Sequence, residues 1–302
     1  MRDLLAVDGS SLIHRAWHST RGDDDAERDG AVTAAVLSML ASAWAYGPYA
    51  RLLVALDHPV NHRRRDFPEY KAQRAPTPDD LRAALERTAT HLADAGVALR
   101  RVEGAEADDL LAAASDAARA AGLWCDLLSS DRDLVGSVGG TVRLLRPRQR
   151  FTDLAVEDAE TVRATYGVDP SRYVELAALR GDTSDGLEGA PGIGPVRAAR
   201  LIRDHGTVAE LYRILPDLPP AIARSLREGR DAVERNLLLM SPLPHLDVDL
   251  GAIAPRTDPL SGLADLVEAL GFPGAARRAR RSVSGDGPAM PPIPPPPEDE
   301  RG

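Results

Sequence analysis

Three short apolar runs each end on an aspartate: Asp3-Leu-Leu-Ala-Val-Asp8, Arg51-Leu-Leu-Val-Ala-Leu-Asp57 and Leu123-Trp-Cys-Asp-Leu-Leu-Ser-Ser-Asp131. Runs of this length read as strands buried on both faces. Helical segments fit 31–46, 78–95 and 106–121, and a further strand fits 97–103. Strands alternating with helices make a parallel sheet, since each right-handed crossover returns the chain to the same end. The strand C-termini then share one edge, where open α/β sheets bind ligands. The pattern therefore predicts an α/β domain with aspartates gathered along one edge.

More acids reach that edge. The helix at 106–121 opens Glu106-Ala-Asp108-Asp109, with three acids in four residues. Acids in a first turn complement the helix dipole, but three exceed what a cap requires. Asp133 stands two residues beyond Asp131, and Asp182 and Asp185 lie in Gly181-Asp-Thr-Ser-Asp185. Two unit charges about 4 Å apart repel by roughly 4 kcal/mol at an effective dielectric near 20. A bound cation is the natural offset, and an all-oxygen donor set points to Mg²⁺ or Mn²⁺ rather than structural zinc.

From Ala155 to about Leu270 the pattern is helical, with segments at 156–166, 170–179, 195–205, 208–214, 220–228 and 232–239. Between the second and third of these lies Pro191-Gly192-Ile193-Gly194-Pro195. Its glycines allow a backbone to approach an anion closely, and Pro195 suits the first position of a helix whose N-terminus would face a phosphate. From about Ser282 the composition turns to Pro, Gly, Ser and acid, which predicts an extended tail over 282–302.

The net charge of −9 sits awkwardly with a nucleic-acid partner. The bases are clustered, however, at His62 to Arg65, Lys71 to Arg74, Arg143 to Arg150, Arg197 to Arg203 and Arg277 to Arg281. A basic track can coexist with an acidic total. Aromatics are only 4% of residues, so the core must be mainly Leu, Val and Ala. The single Cys125 lies in an apolar run and reads as a buried strand cysteine. No apolar stretch is long enough to cross a membrane, and Asp3 and Asp8 interrupt the N-terminal run, so a soluble cytoplasmic protein is expected.

Six motifs in order resemble the structure-specific 5′ nucleases, the family of DNA polymerase I 5′–3′ exonuclease domains and flap endonucleases. They are Leu5-Ala-Val-Asp8-Gly-Ser-Ser, Glu69-Tyr70-Lys71-Ala-Gln-Arg74, Glu106-Ala-Asp108-Asp109, Ser130-Asp131-Arg-Asp133-Leu, Gly181-Asp182-Thr-Ser-Asp185 and Pro191-Gly192-Ile193-Gly194, within about residues 1–270. The resemblance implies a PIN-like nuclease domain over 1–168 and a helix-three-turn-helix DNA-binding domain over 169–275. It also implies that Asp8, Asp57, Glu106, Asp108, Asp109, Asp131, Asp133, Asp182 and Asp185 hold two or more Mg²⁺ or Mn²⁺ ions. Lys71 and Arg74 would stabilise the scissile phosphate, with Asp8 and Asp131 central to catalysis. Tyr70 would stack on a base, while Gly192, Ile193, Gly194 and Arg197 would grip DNA, with K⁺ a further candidate at that hairpin. The implied substrates are 5′ flaps and branched or nicked duplexes, with RNA primers as further candidates. The protein is expected to act as a monomer beside a separately encoded polymerase, because no polymerase region is visible.

Two departures stand out. Gly186 occupies a position where the family commonly has Asn, and the stretch 58–65, which leads into the helical gateway that the resemblance implies over the site, is short and Arg-rich. The charged stretch 21–29 also looks unusual, and its acids read as solvated surface. Rival readings are a non-catalytic DNA-junction clamp of the same fold, a PIN-type ribonuclease, and an Asp-x-Asp phosphatase or glycosyltransferase built on Asp131 and Asp133. The His14–His18 and His58–His62 pairs have zinc-compatible spacing but no obvious third ligand, and they read as exposed helical histidines.

Overall fold

The computed structural model describes residues 3–20, 25–47, 49–148 and 153–284. Strand β1 (Leu4–Asp8) runs directly into helix α1 (Gly9–Ser19), and α2 (Asp25–Trp44) leads to β2 (Arg51–Ala55). The short α3 (His62–Asp66) and the longer α4 (Asp79–Asp94) precede β3 (Ala98–Arg100), and α5 (Ala107–Ala120) precedes β4 (Cys125–Leu128). With β5 (Val142–Pro147) and β6 (Leu154–Glu157) the sheet has six strands in the order β3-β2-β1-β4-β5-β6. All pairings are parallel except that of β5 with β6. The chain builds outward from β1 to β3, then starts again on the other side of β1. The resulting switch point lies between β1 and β4, and Asp8 and the loop after β4 meet there.

Strand β1 at the sheet centre is apolar up to its last residue, as Leu4, Leu5, Ala6 and Val7 are fully buried. Cys125 is a free, buried strand cysteine, as expected. The expected helix over 156–166 is shorter, since residues up to Glu157 extend β6 and α6 spans Ala159–Tyr166. Asp158 sets that boundary, its carboxylate accepting the Thr161 amide at 2.8 Å as an N-cap.

Strand β5 was hidden by its arginines. Arg143, expected in a basic track, is buried and paired in register with Asp126 of β4 through bonds of 2.8–3.0 Å. The Tyr49 hydroxyl donates to the same carboxylate at 2.6 Å. Arg146 is bound to Glu157 of β6 at 2.8 and 3.1 Å, and residues 149–150 of the same cluster lie outside the described residues. Asp29 departs from the solvated loop expected at 21–29. It sits in α2 at 9% exposure and pairs with Arg87 of α4; residues 21–24 lie outside the described residues.

Beyond α6 come α7 (Tyr173–Arg180), the two-stranded β7 (Gly181–Asp182) and β8 (Leu187–Glu188), α8 (Pro195–His205), α9 (Val208–Arg213), α10 (Pro220–Glu228) and α11 (Arg230–Met240). They share a separate apolar core that includes Leu176, Ile193, Ile202, Leu211, Leu226 and Val233. The sequence reading carries this helical unit to 275, but α12 (Ser261–Ala269) and α13 (Pro273–Val283) join the sheet-side core with α1 and α2. Helix α13 also extends to Val283, past the expected start of the tail, and residues 285–302 lie outside the described residues. No helix among the described residues is long and apolar enough to cross a membrane.

The Asp126–Arg143 pair generates a test of this packing. Arg143→Met removes the cation and strands a buried carboxylate, so chemical unfolding should show a loss of about 3–5 kcal/mol. A loss below about 1 kcal/mol would mean the pair is not buried as described.

Candidate metal centre

The strand-end acids converge. Asp8 ends β1 and is 6% exposed, its carboxylate accepting from the Ser11 amide at 2.9 Å and the Ser129 hydroxyl at 3.0 Å. Beyond β2, Asp57 accepts the Ala107 amide at 2.7 Å and so ties the second strand end to the start of α5. Glu106 is the N-cap of α5, and Asp108 lies in its first turn. After β4, Asp131 receives the Asp133 amide at 3.0 Å. From the helical unit, Asp182 accepts the Ser184 amide at 2.8 Å, and Asp185 accepts Arg74 at 2.5 Å.

The charges register one another strongly. Burial, with Asp57 and then Asp131 nearby, pushes the Asp8 carboxyl up to about 7 despite its two hydrogen bonds. Burial also raises Asp108 well above the carboxylate range, reinforced by Asp131, Asp8, Asp57 and Asp133. Asp133 is pushed up to about 8, by burial first and then by Asp131 and Asp185. Asp57 keeps open surface at the mouth, yet the protein crowding its carboxyl, and Glu106 beside it, still raise it. The acids fall into two overlapping groups, with Asp131 in both: one around Asp8, Asp57 and Asp108, the other around Asp133, Asp182 and Asp185.

These residues fit a hard cation. All donors are carboxylate oxygens, and one Asp108 oxygen is buried without a hydrogen-bond partner. Among the described residues, no three His, Cys, Asp or Glu side chains are close enough to hold an ion as they are placed. Asp8, Asp57, Asp131 and Asp182 each accept hydrogen bonds from nearby amides or hydroxyls.

Asp109 must be removed from the ligand set. It is 2% exposed and its two oxygens are already taken up, bound by both Arg63 terminal nitrogens at 2.7 Å and by the amides of Glu106 and Leu243 at 2.9 Å. Burial works against its ionisation, but Arg63 outweighs it and holds the carboxyl below its ordinary value. Tyr70 also needs correcting, because its ring is 2% exposed within the core beside α5 and cannot stack on a base in this conformation. Lys71 and Arg74 do reach the centre. The Lys71 ammonium lies 3.2 Å from Glu106 and 3.7 Å from Asp185, and although burial opposes its charge, those acids raise its pKa.

The loop at 191–194 has its expected shape. Gly192 has φ +72°, nothing lies within 4 Å of where a Cβ would stand at Gly192 or Gly194, and Gly194 caps α8 ahead of Pro195. Ile193 is 3% exposed and anchors the turn in the helical core, so only the backbone at this residue can meet a ligand. Arg197 is exposed and donates to the Gly192 carbonyl at 2.6 Å. His14 and His18 are exposed neighbours on α1 and help line a cleft of about 500 Å³ with Ser11, Arg15, Ser19 and Ser130.

Residues 3–167 match the family described as 5′–3′ exonuclease, N-terminal resolvase-like domain, and 168–254 match its C-terminal SAM fold. The chain belongs to the 5′–3′ exonuclease family. It is 32% identical over 237 residues to DNA polymerase I of Mycobacterium tuberculosis, an alignment covering 77% of this chain and 26% of that one. The chain thus spans about a quarter of the length of the curated polymerases it matches first. It is 35% identical over 173 residues to the flap endonuclease Xni of Cronobacter sakazakii, covering 56% of this chain and 66% of that one. In fold it is similar to a T5 5′-exonuclease with zinc ions bound, at TM-score 0.60, 21% identity and coverage of 94% and 99%. It is likewise similar to the catalytic core of Rad2 in complex with DNA substrate, at TM-score 0.60, 16% identity and coverage of 93% and 91%.

Within this exonuclease-family fold, sequence reasoning missed Arg63. Expected in a basic surface cluster, it is buried and also donates to the Leu239 and Ser241 carbonyls at 2.8 and 2.9 Å, joining α3, the start of α5 and the end of α11. Asn236 was missed too. It is fully buried and donates to the Ala178 and Glu188 carbonyls, fastening β8 to α7 and so the loop that carries Asp182 and Asp185.

Crowded acids of like charge weaken the fold they sit in. In chelator at pH 8, Asp108→Asn should raise the melting temperature by roughly 2–4 °C, about 1 kcal/mol for a chain of this size. The rise caused by added Mn²⁺ should shrink in the same variant. A less stable variant with an undiminished Mn²⁺ response would contradict the assignment.

Proposed function

We propose that the chain is a divalent-metal-dependent, structure-specific 5′ nuclease that hydrolyses DNA phosphodiesters as a 5′–3′ exonuclease and flap endonuclease. The observation carrying this reading is the meeting of acids from four strand ends and the β7–β8 loop with Lys71 and Arg74 at one sheet edge, in a chain of the 5′–3′ exonuclease family. The T5 exonuclease with bound zinc and the Rad2 core with bound DNA substrate add support.

Asp8, Asp57, Asp108 and Asp131 would hold one cation, and Asp131, Asp133, Asp182 and Asp185 a second, directly or through water, with Glu106 at the first group's margin. Mg²⁺ or Mn²⁺, when bound, supplies Lewis-acid stabilisation of the phosphodiester and acidifies water, as two-metal nucleases require. The chain's own contribution is positive charge placed in advance. Lys71 is 10% exposed and held between Glu106 and Asp185, so it meets a phosphate without reorganising. Arg74 has its side chain about half exposed and can shift from Asp185 to a phosphate oxygen. The open Gly192–Gly194 backbone and the start of α8 would hold the duplex through its phosphates, so selectivity should follow junction shape rather than base sequence.

A labelled 5′ flap incubated with Mg²⁺ tests this directly, with blunt duplex and single-stranded RNA beside it. The flap should be cut near its junction, and Asp131→Asn should lower the rate by at least about 10³-fold while flap binding in Ca²⁺ stays nearly intact. Binding without cleavage in the unmodified protein would favour a junction clamp. Preferential cutting of RNA would favour a ribonuclease.

A further inference from the structure

The Lys71–Arg74 segment sits on the β7–β8 loop through contacts that the acids alone do not account for. The Lys71 amide donates to the Asp185 carbonyl at 3.2 Å, and Lys71 itself adopts φ +55°. The Gln73 side-chain amide donates to the Ser184 carbonyl at 3.0 Å. Two adjacent carbonyls of the loop thus take hydrogen bonds from two positions of the segment.

Gly186 makes room for this arrangement. It has φ +73°, and a Cβ there would stand 2.7 Å from the Gln73 side-chain oxygen and 3.1 Å from its amide carbon. Any side chain at 186 would displace Gln73. The loop itself is a tight turn, with Asp185 and Gly186 amides bonded back to Asp182 and Thr183. Its carbonyls therefore present a fixed edge to the segment.

We propose that Gln73 is a positioning residue for the nuclease reaction. Lying over the Cβ-less Gly186, it latches the segment carrying Lys71 and Arg74 to the loop carrying Asp182 and Asp185. This role rests on the nuclease reading above. Through the latch, the cationic groups and the acid loop keep one spacing. Without it, the segment keeps the Lys71 amide's bond to the loop and its ion pairs, and the half-exposed Arg74 pair fixes geometry only weakly.

The test uses the full chain and the variants Gln73→Ala, Gln73→Met, Gly186→Ala and Gln73→Ala/Gly186→Ala. In the free protein, amide hydrogen exchange over 68–75 should rise about tenfold in every variant, while exchange in α8 stays unchanged. On a 5′ flap with Mg²⁺, each single variant should lose about tenfold in kcat with KM within about twofold, and the double variant should fall no further than Gly186→Ala. Gln73→Met keeps the length but not the donor, and should behave like Gln73→Ala. Unmodified exchange in the Gln73 variants, full kcat in Gln73→Met, or additive losses in the double variant would overturn the latch. If Gly186→Ala loses its fold through strain at positive φ, the two Gln73 variants decide. If the unmodified chain does not cut, the nuclease reading fails, and the exchange measurement still decides whether the latch exists.

Discussion

Carboxylates crowded at the switch point between β1 and β4 set the terms for everything around them. Asp8 and Asp133 carry pKa values pushed up to about 7 and 8, and a buried Asp108 oxygen has no partner. No folding requirement explains such an arrangement, because any of these positions filled with Asn or Ser would pack at lower cost. A bound cation would offset that cost beyond what Lys71 and Arg74 supply, and the all-oxygen donor set fits a hard one. The sheet topology delivers the acids, since parallel crossovers bring successive strand ends to one edge.

A buried cation fastens the two halves of the chain close to that edge, and a buried amide braces the helical half. Arg63 joins Asp109 and Glu106 at the head of α5 to the last carbonyls of α11, and Asn236 of α11 holds β8 against α7. The acids from the helical unit are thereby placed against those from the sheet. Desolvated ion pairs contribute little net stability, but losing one member leaves the other buried and unpaired.

Much of this was legible in the sequence. Apolar runs ending on Asp gave the parallel sheet, and the acid motifs named the side chains that converge, because strand ends and helix starts have fixed positions in such a fold. Asp109 was over-assigned. Asp108 and Asp109 adjoin one cavity, but both Asp109 oxygens are taken up by Arg63 and two backbone amides, a set of partners that spacing along the helix does not reveal. Arg63 and Arg143 were read as surface bases because burial of a charge depends on a partner far away in sequence, 46 residues for Asp109 and 17 for Asp126. The same arginines concealed β5. The return of α12 and α13 to the sheet side left no signal in local periodicity, which shows that a helix has an apolar face but not which core receives it.

The central claim is that these acids take up paired cations, and anomalous diffraction from crystals grown with millimolar Mn²⁺ tests it most directly. The account predicts two peaks, one among Asp8, Asp57, Asp108 and Asp131 and one among Asp131, Asp133, Asp182 and Asp185. No peak at this edge, or Mn²⁺ bound only elsewhere on the chain, would contradict it.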